Sequence, residues 1–323
     1  MMILTEKVSV KNEQFLEETL QGLAEMPKRM HSKYFYDEAG DQIFQQIMEM
    51  EEYYLTNAEM EIMKFQADEI ADNIEGDGSG FDLIELGAGD ATKSIHLLNA
   101  LMQKQCSFKY FPIDISAHVI SELELNLPVS LPNLNFEGLN GDYFEMLKRA
   151  AEISNRRKVV LFMGANIGNM TVDEAQAFCI HLKQFLAPQD ILIIGFDLKK
   201  NPRKILSAYN DEAGITKAFN LNLLKRINRE LDGNFDLDAF EHYASYNPET
   251  GECKSYIISL LNQQVSIGNA TFHFDKDEYI LMEISQKYAK PEIEELAASS
   301  GFKVARYFTD TNQYFVDAVW KVS

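Results

Sequence analysis

The sequence predicts an α/β protein whose main sheet is mostly parallel. Between residues 81 and 198, short apolar strand patterns alternate with helix patterns five times. A last helix and two more strand patterns follow from residue 291 onward. Since a helix that connects two strands returns the chain to the same end of the sheet, this alternation predicts parallel strands with helices on both faces. Five units and the closing strands make a Rossmann-like sheet of seven strands.

The elements of this sheet are predicted in chain order. The strands are FDLIEL (81–86), FKYFPID (108–114), LNFEG (134–138), KVVLFM (158–163), ILIIGFDL (191–198), FKVARYFTD (302–310) and YFVDAVWKV (314–322). Helices are predicted up to about residue 104, up to about 126, briefly after the third strand, from Thr171, and over 291–300. The last two strands are expected to form a closing hairpin.

The remaining patterns predict a second, α+β domain. They are helices at 12–25 and 57–74, one long helix at about 203–231, and strands at 254–263, 268–274 and 279–287. Thr56 and Glu59 have capping-box spacing at the start of the second of these helices. The predicted division assigns residues 61–198 and 287–323 to the sheet domain, and residues 1–60 and 199–286 to the second domain.

Composition and charge exclude several classes of function. Lys and Arg number 30 against 50 for Asp and Glu, and the formal charge of −20 would repel nucleic-acid phosphates. No apolar run approaches the ~20 residues of a membrane helix, and the first 15 residues do not resemble a secretory signal. We therefore predict a cytoplasmic protein with no nucleic-acid or membrane partner. The three cysteines and six histidines lack ligand spacing, so buried thiols and no metal are expected.

The strongest functional signal is the segment DLIELGAGDATKS. A strand that ends near Glu85 breaks into Gly-x-Gly at 87–89 before a helix, and such a turn lets backbone amides and a helix N-terminus approach a nucleotide-like ligand. Ala91 and Thr92 stand where the dinucleotide fingerprint has its third glycine, which argues against NAD and an oxidoreductase. The acid before Gly-x-Gly favours S-adenosylmethionine (SAM).

Acidic residues also follow the next two predicted strands. Asp114 ends the strand FKYFPID, and Asp142 precedes Tyr143 in NGDYF. Ligands of open α/β sheets bind at the carboxyl ends of the strands. Asp114 is therefore predicted to accept hydrogen bonds from a ribose diol, and Asp142 from the adenine amine, with Tyr143 against the base. Either acid taken alone is more often a helix cap.

The loop after the fourth strand, GANIGN (164–169), holds two glycines and two amides. An asparagine side chain supplies both a hydrogen-bond donor and an acceptor. Asn166 is interpreted as a turn residue in left-handed conformation. Asn169 is expected at the start of the next helix and is predicted to contact a substrate.

With these segments, the chain resembles the histidine Nα-methyltransferases of the ergothioneine pathway, SAM-dependent enzymes that trimethylate the α-amine of L-histidine to hercynine. The resemblance covers nearly the whole chain. It is carried by KYFYDEAGDQIFQQI, EEYYLTNAE, ELGAGDATK, PIDIS, GDYF, LFMGANIGNM, LMEISQKY and, most specifically, the segment from Asp197 to His242. It implies SAM as the cofactor of an N-methyltransferase whose small-molecule substrate is an amino acid.

The resemblance also implies roles for single residues. The implied cofactor residues are Tyr53, Gly87, Lys93, Asp114, Asp142 and Tyr143. The implied substrate residues are Tyr36, Gly164, Asn169 and Tyr209 for the amine and carboxylate, and Glu283 and Ser285 for the imidazole. Tyr36 and Tyr209 are the implied catalytic residues, which hold the amine in line with the methyl group. A buried carboxylate selects an imidazole, since an apolar ring would leave it unpaired at a cost of about 1–3 kcal/mol.

The chain departs from the family pattern at several positions. Ala165 and Asn166 replace Ser and Thr in the loop, Leu55 replaces a proline, and Tyr143 replaces a phenylalanine. Ser255 falls near a methionine that the histidine enzymes place against the substrate ring, and a smaller residue there widens the expected pocket. Two alternatives therefore stay open: N-methylation of another amino acid or aromatic amine, and SAM binding without turnover.

Overall fold

The structure is a computed structural model that describes residues 10–75 and 78–323. Most of the N-terminal segment in which no secretory signal is expected, residues 1–9, lies outside the described residues. Among the helices of the described ranges, none combines the length and hydrophobicity that crossing a membrane requires. In the same ranges, no group of three or more His, Cys, Asp or Glu side chains is placed to hold a metal ion.

The elements are numbered along the chain. The helices are α1 (Val10–Ala24), α2 (Glu38–Glu49), α3 (Tyr54–Ile74), α4 (Ser94–Gln103), α5 (Ala117–Ser130), α6 (Tyr143–Ile153), α7 (Val172–Lys183), α8 (Pro202–Ala208), α9 (Ile215–Glu230) and α10 (Lys290–Ser299). The strands are β1 (Lys28–Arg29), β2 (Phe81–Leu86), β3 (Phe108–Asp114), β4 (Leu139–Asn140), β5 (Arg157–Phe162), β6 (Ile191–Asp197), β7 (Phe240–Tyr246), β8 (Glu252–Ser259), β9 (Gln263–Ile267), β10 (Ala270–Phe274), β11 (Tyr279–Gln286), β12 (Phe302–Thr309) and β13 (Phe315–Val322).

The chain divides into two compact units. The first unit contains the residues up to Tyr53 together with Asn201–Ser285. The second unit contains Tyr54–Lys200 and Gln286–Ser323. The predicted boundary between residues 60 and 61 therefore falls inside α3, which belongs to the second unit.

The second unit is built on a seven-stranded sheet in the order β12-β13-β6-β5-β2-β3-β4. The strands from β6 to β4 in this order run parallel, and β13 runs antiparallel to both β6 and β12. The predicted fold class and closing hairpin are thus confirmed. The order reverses between β2 and β5, because β3 and β4 lie on one side of β2 and β5 lies on the other.

The sheet is stabilised by strands that are apolar along most of their length. β2 and β6 are buried at every position, as expected for parallel strands covered on both faces. Trp320 of β13 stacks on Phe196 of β6 with 5.8 Å between ring centroids. The helix predicted from Thr171 is also confirmed: Thr171 is the N-cap of α7, and Glu174 completes its capping box.

The first unit combines a four-stranded sheet, β1-β11-β8-β7, with the hairpin of β9 and β10. β7 and β8 are antiparallel, whereas β1 runs parallel to β11. The core of this unit is aromatic and aliphatic, and it includes Phe35, Phe219, Phe240 and Ile257. Phe35 of the short 3₁₀ helix before α2 stacks on Phe219 of α9 at 4.8 Å.

Several local predictions for the first unit are wrong. The expected long helix at 203–231 is two helices, α8 and α9. Gly214 at a φ of +74° interrupts it, and the carboxylate of Asp211 accepts hydrogen bonds from the amides of Ile215 and Thr216 at 2.7 and 2.9 Å, which starts α9 afresh. Strand β7 was not predicted, because its sequence FEHYASY does not alternate cleanly between apolar and polar residues.

Two local predictions for the second unit are also wrong. The third strand is reduced to β4, and the predicted LNFEG segment contributes one bridge between Phe136 and Tyr110. Helix α3 begins at Tyr54, so Thr56 lies inside the helix instead of capping it. Of the expected buried thiols, Cys179 and Cys253 are buried, but Cys106 is only partly so.

A buried ion cluster in the second unit marks the places where the chain passes between units. Asp197, at the end of β6, accepts a hydrogen bond from Lys287 Nζ at 2.8 Å, from Tyr54 Oη at 2.8 Å, and from Lys200 Nζ. Burial alone would raise the pKa of Asp197, but the two lysines hold it below its usual value. Its three partners lie next to the three junctions 53/54, 200/201 and 285/286.

Candidate functional site

The candidate site of the second unit lies at the carboxyl ends of β2 and β5. Strand order reverses between these two strands, and ligands of open α/β sheets bind where it reverses. The turn after β2 carries Gly87, and the loop after β5 carries Gly164. Both glycines have positive φ, +76° and +73°, a conformation that favours glycine.

Gly87 lies where a side chain would be obstructed. Its amide donates to the carbonyl oxygen of Ile113 at 2.8 Å. A Cβ here would lie 2.9 Å from Tyr143 Oη and 3.1 Å from Asn166 Nδ2, so the bare turn packs directly against these two side chains. At Gly89, no described atom lies within 4 Å of the Cβ position, so this side of the turn is accessible to a ligand.

Asp114 ends β3 beside this turn. Its Oδ2 accepts a hydrogen bond from the Gly89 amide at 3.2 Å, and its Oδ1 accepts one from the Ser116 amide at 2.9 Å. Burial raises the pKa of Asp114, although these backbone donors oppose the shift. The carboxylate thereby links the glycine turn to the start of α5, and each of its oxygens keeps a lone pair for a ligand hydroxyl.

Asp142 and Tyr143 begin α6. Asp142 is exposed and caps the helix by accepting hydrogen bonds from the amides of Phe144 and Glu145 at 2.9 and 3.5 Å. Tyr143 packs edge-on against Phe162 at 5.7 Å. The structure therefore gives Asp142 the capping role noted for such acids, and it places the Tyr143 hydroxyl beside Gly87. The contact of Tyr143 with the adenine stays a prediction.

Lys93 and Gly164 share one partner, Glu59 of α3. Lys93 Nζ forms an ion pair with Glu59, and the Gly164 amide donates to Glu59 Oε1 at 2.7 Å. Burial alone would lower the pKa of Lys93, but the Glu59 carboxylate raises it above its usual value. A predicted cofactor residue and a predicted substrate residue are thus connected through one carboxylate.

The 164–169 loop differs from its predicted conformation. The left-handed residue is Ala165, at a φ of +57°, and not Asn166. Asn166 begins a 3₁₀ helix that ends at Asn169, and α7 starts only at Val172. Asn169 is half-buried two residues before the N-cap of α7, so it does not begin that helix.

In the first unit, predicted substrate residues meet at Tyr209. Tyr209 is 6% exposed, and its hydroxyl forms a hydrogen bond of 2.7 Å with Ser285 Oγ. The Tyr209 ring lies edge-on to Tyr53 at 6.1 Å. Two predicted substrate residues and one predicted cofactor residue are therefore brought together within one unit.

Tyr36 belongs to the same aromatic cluster. It follows the 3₁₀ helix Ser32–Phe35 and packs edge-on against Phe44 at 5.5 Å, and Phe44 packs against Tyr53 at 6.4 Å. Tyr36 is half-buried. The rings of Tyr36, Phe44, Tyr53 and Tyr209 form a continuous series that we call the aromatic cluster.

Glu283 is half-buried on β11, two positions from Ser285. Since side chains two positions apart on a strand point to the same face, Glu283 shares the face of the hydrogen bond between Ser285 and Tyr209. Ser255 is 2% exposed, and it lies on the face of β8 that carries the core residue Ile257. The wider ring pocket expected from Ser255 stays a prediction.

Two buried acids of the second unit have roles that the sequence did not indicate. Glu85, the acid at the end of β2, accepts hydrogen bonds from Ser94 and Tyr110, and burial raises its pKa to about 7. Glu59 was interpreted as a capping residue. The sequence does carry a sign that Glu59 is buried, because it lies on the apolar face of α3. It is four positions after Leu55 and three before Ile62, and both of these residues are buried.

Asp114→Ala is expected to weaken SAM binding by about 10- to 100-fold, since about 1.5–3 kcal/mol is lost with hydrogen bonds to a charged group. Isothermal titration calorimetry with S-adenosylhomocysteine measures this. Asp173→Ala, which removes an exposed acid of α7, is the control and should bind normally. A normal affinity of Asp114→Ala would contradict the ribose assignment.

The parallel sheet with one antiparallel strand, its glycine turn and the acid at the next strand end are those of a SAM-dependent methyltransferase. The residues suit that cofactor, because the turn is accessible at Gly89 and the Asp114 carboxylate adjoins it. The chain belongs to a particular family of these enzymes: the family model described as histidine-specific methyltransferase, SAM-dependent, matches residues 15–322.

Relatives share most of the chain. The histidine N-alpha-methyltransferase of Mycobacterium tuberculosis is 33% identical over 291 residues, which cover 90% of this chain and 89% of that protein. Ergothioneine biosynthesis protein 1 of Neurospora crassa is 32% identical over 295 residues, 89% of this chain and 32% of that protein. The 4-dimethylallyltryptophan N-methyltransferase easF of Aspergillus fumigatus is 26% identical over 308 residues, covering 91% and 89%.

Proposed function

We propose that this enzyme methylates the α-amine of L-histidine, up to three times, to give hercynine. The observation that carries the proposal is the hydrogen bond between Tyr209 and Ser285, on the strand face that also bears Glu283. It joins a residue implied for the amine to one implied for the imidazole. Support also comes from the mycobacterial relative, whose name states this activity.

Binding is proposed to fix the amino acid by both of its ends. The amide of Asn169 holds the carboxylate, and the hydroxyls of Tyr36 and Tyr209 hold the amine. The buried surroundings of Tyr209 keep water from competing for its hydroxyl. Glu283 and Ser285 hydrogen-bond the imidazole, and Glu283 accepts from a ring N–H.

The proposed catalysis is mainly positioning. Held at the glycine turn and Asp114, SAM would supply a methyl group on a sulfonium sulfur. An uncharged amine would accept that methyl in line with the breaking C–S bond, and S-adenosylhomocysteine would be the leaving group. The chain must therefore bind the amine with its lone pair free and aligned, and a well-oriented intramolecular arrangement contributes about 7–11 kcal/mol to lowering a barrier. The aromatic cluster favours this by restricting the rings that carry the two hydroxyls.

A second candidate substrate is another aromatic amino acid. The buried Ser255, where the histidine enzymes have a methionine, favours it, and one relative at 26% identity is named for a tryptophan derivative. Glu283 opposes a substrate with a phenyl ring, because that ring would leave the carboxylate without a hydrogen-bond donor.

Mass spectrometry distinguishes these candidates. Purified enzyme is incubated with SAM and one amino acid at a time, and products heavier by about 14, 28 and 42 dalton are sought. We expect all three masses with histidine and none with phenylalanine. Products formed only from tryptophan would favour the second candidate, and the absence of any product would leave SAM binding without turnover.

A further inference from the structure

The Glu59 carboxylate is buried in the second unit between two functional segments. Glu59 is completely inaccessible to solvent. One of its oxygens accepts a hydrogen bond from the Gly164 amide at 2.7 Å, and the other pairs with Lys93 Nζ. Lys93 is the N-cap of α4, four residues after Gly89 of the glycine turn, and Gly164 begins the loop after β5. Glu59 thus contacts both loops that border the point where strand order reverses.

The sheet makes room for this carboxylate at Gly195. A Cβ at Gly195, in the middle of β6, would lie 2.5 Å from Glu59 Oε1. A glycine inside a strand weakens it and often marks a close approach by another group. The position of Glu59 therefore explains why β6 has a glycine at residue 195. This observation is independent of the contacts that Glu59 makes with the two loops.

Other acids near Lys93 do not replace Glu59. Asp317 is fully buried on β13, and neither of its carboxyl oxygens has a hydrogen-bond partner among the described atoms. Burial, reinforced by the Glu59 charge, raises the pKa of Asp317 well above its usual value. Glu85 is occupied by Ser94 and Tyr110. Glu59 is the acid that pairs directly with Lys93.

We propose that Glu59 is a positioning residue. One of its carboxylate oxygens holds Lys93 in position to bind the cofactor, and the other holds the Gly164 loop in position to bind the amino acid. The substrate half of this proposal rests on the proposed function. The two halves make different predictions, because glutamine keeps the amide acceptor for Gly164 but removes the ion pair with Lys93.

Four variants test the proposal: Glu59→Ala, Glu59→Gln, Lys93→Met and the double variant Glu59→Gln/Lys93→Met. Asp190→Asn is the matched control, because Asp190 is another buried acid of the same unit that accepts backbone hydrogen bonds. Its donors are the amides of Lys158 and Ala187, at 2.8 and 2.7 Å. Calorimetry gives the affinity for S-adenosylhomocysteine, steady-state kinetics give the KM for histidine, and thermal unfolding gives the Tm.

Glu59→Ala is expected to weaken S-adenosylhomocysteine binding and raise the histidine KM, each by about tenfold. Glu59→Gln should weaken cofactor binding similarly but keep a nearly normal KM. The double variant should bind no worse than Lys93→Met, since Glu59 acts on the cofactor through that lysine. Asp190→Asn should lower only the Tm.

The proposal is overturned if Glu59→Ala resembles Asp190→Asn in both its S-adenosylhomocysteine affinity and its histidine KM. It is also overturned if Glu59→Gln weakens cofactor binding and raises the histidine KM by equal factors. Glu59→Gln retains the side-chain volume. If Glu59→Ala fails to fold, the cofactor affinity and histidine KM of Glu59→Gln test the proposal instead. If wild-type enzyme binds S-adenosylhomocysteine but does not methylate histidine, the proposed function fails. The cofactor affinities of the variants then still judge the role of Glu59.

Discussion

Glu283→Ala is expected to lower kcat/KM for histidine by about 10³-fold while leaving the affinity for S-adenosylhomocysteine unchanged. Without Glu283, an imidazole N–H is buried without an acceptor. In a site built to hydrogen-bond a polar group, such a loss reduces the binding free energy far more than the loss of one methylene contact does. Glu283 belongs to the first unit, whereas the glycine turn and Asp114 belong to the second. The glycine turn and Asp114 should therefore be untouched.

Calorimetry with histidine and S-adenosylhomocysteine measures this effect separately from turnover. Glu241→Ala is the control, since Glu241 is an exposed acid of β7 in the same sheet. Glu283→Gln shows how much the charge contributes beyond the acceptor oxygen. Wild-type histidine affinity in Glu283→Ala would remove Glu283 from the imidazole site.

Asp197→Ala is expected to destabilise the second unit by about 3–5 kcal/mol, the usual cost of removing one partner of a buried ion pair. The lysines left behind have side chains only 0% and 6% exposed, for Lys287 and Lys200. Burial already lowers the pKa of Lys200 to about 8 against the attraction of Asp197. Without the aspartate, two adjacent buried amines would lose the carboxylate that both of them contact.

The single tryptophan provides the measurement. Trp320 is the only Trp of the chain and is fully buried in β13, so its fluorescence during urea unfolding reports on the second unit. Glu152→Ala, which removes an exposed ion pair with Arg149, should change the unfolding free energy by less than about 1 kcal/mol. An equally small change in Asp197→Ala would show that the buried cluster contributes no net stability.

The fold was predictable because its signals are local. Mostly apolar strands such as β2 and β6 alternate with helices, and this pattern alone specifies a covered parallel sheet. Errors arose where side chains override periodicity, as at Asp211, whose carboxylate restarts a helix that the apolar spacing would have continued.

The site was predictable only in its backbone part. Gly87 and Asp114 are visible in sequence because Gly87 directly follows β2 and Asp114 ends β3. The partner of Gly164 was not visible, since Glu59 lies 105 positions away and has the spacing of a helix cap. Pairings of this kind depend on tertiary packing, and neither periodicity nor motif spacing in the sequence can predict them.

The antiparallel strand β13 has a consequence for synthesis of the chain. It occupies the interior of the sheet between β6 and β12, yet it is made after every other strand of that sheet. Until then, one edge of β6, an entirely apolar run apart from its final aspartate, has unpaired amides and carbonyls. Such edges recruit other strands. Chains truncated before residue 302 should therefore aggregate, and chaperone demand should persist until β13 has been made.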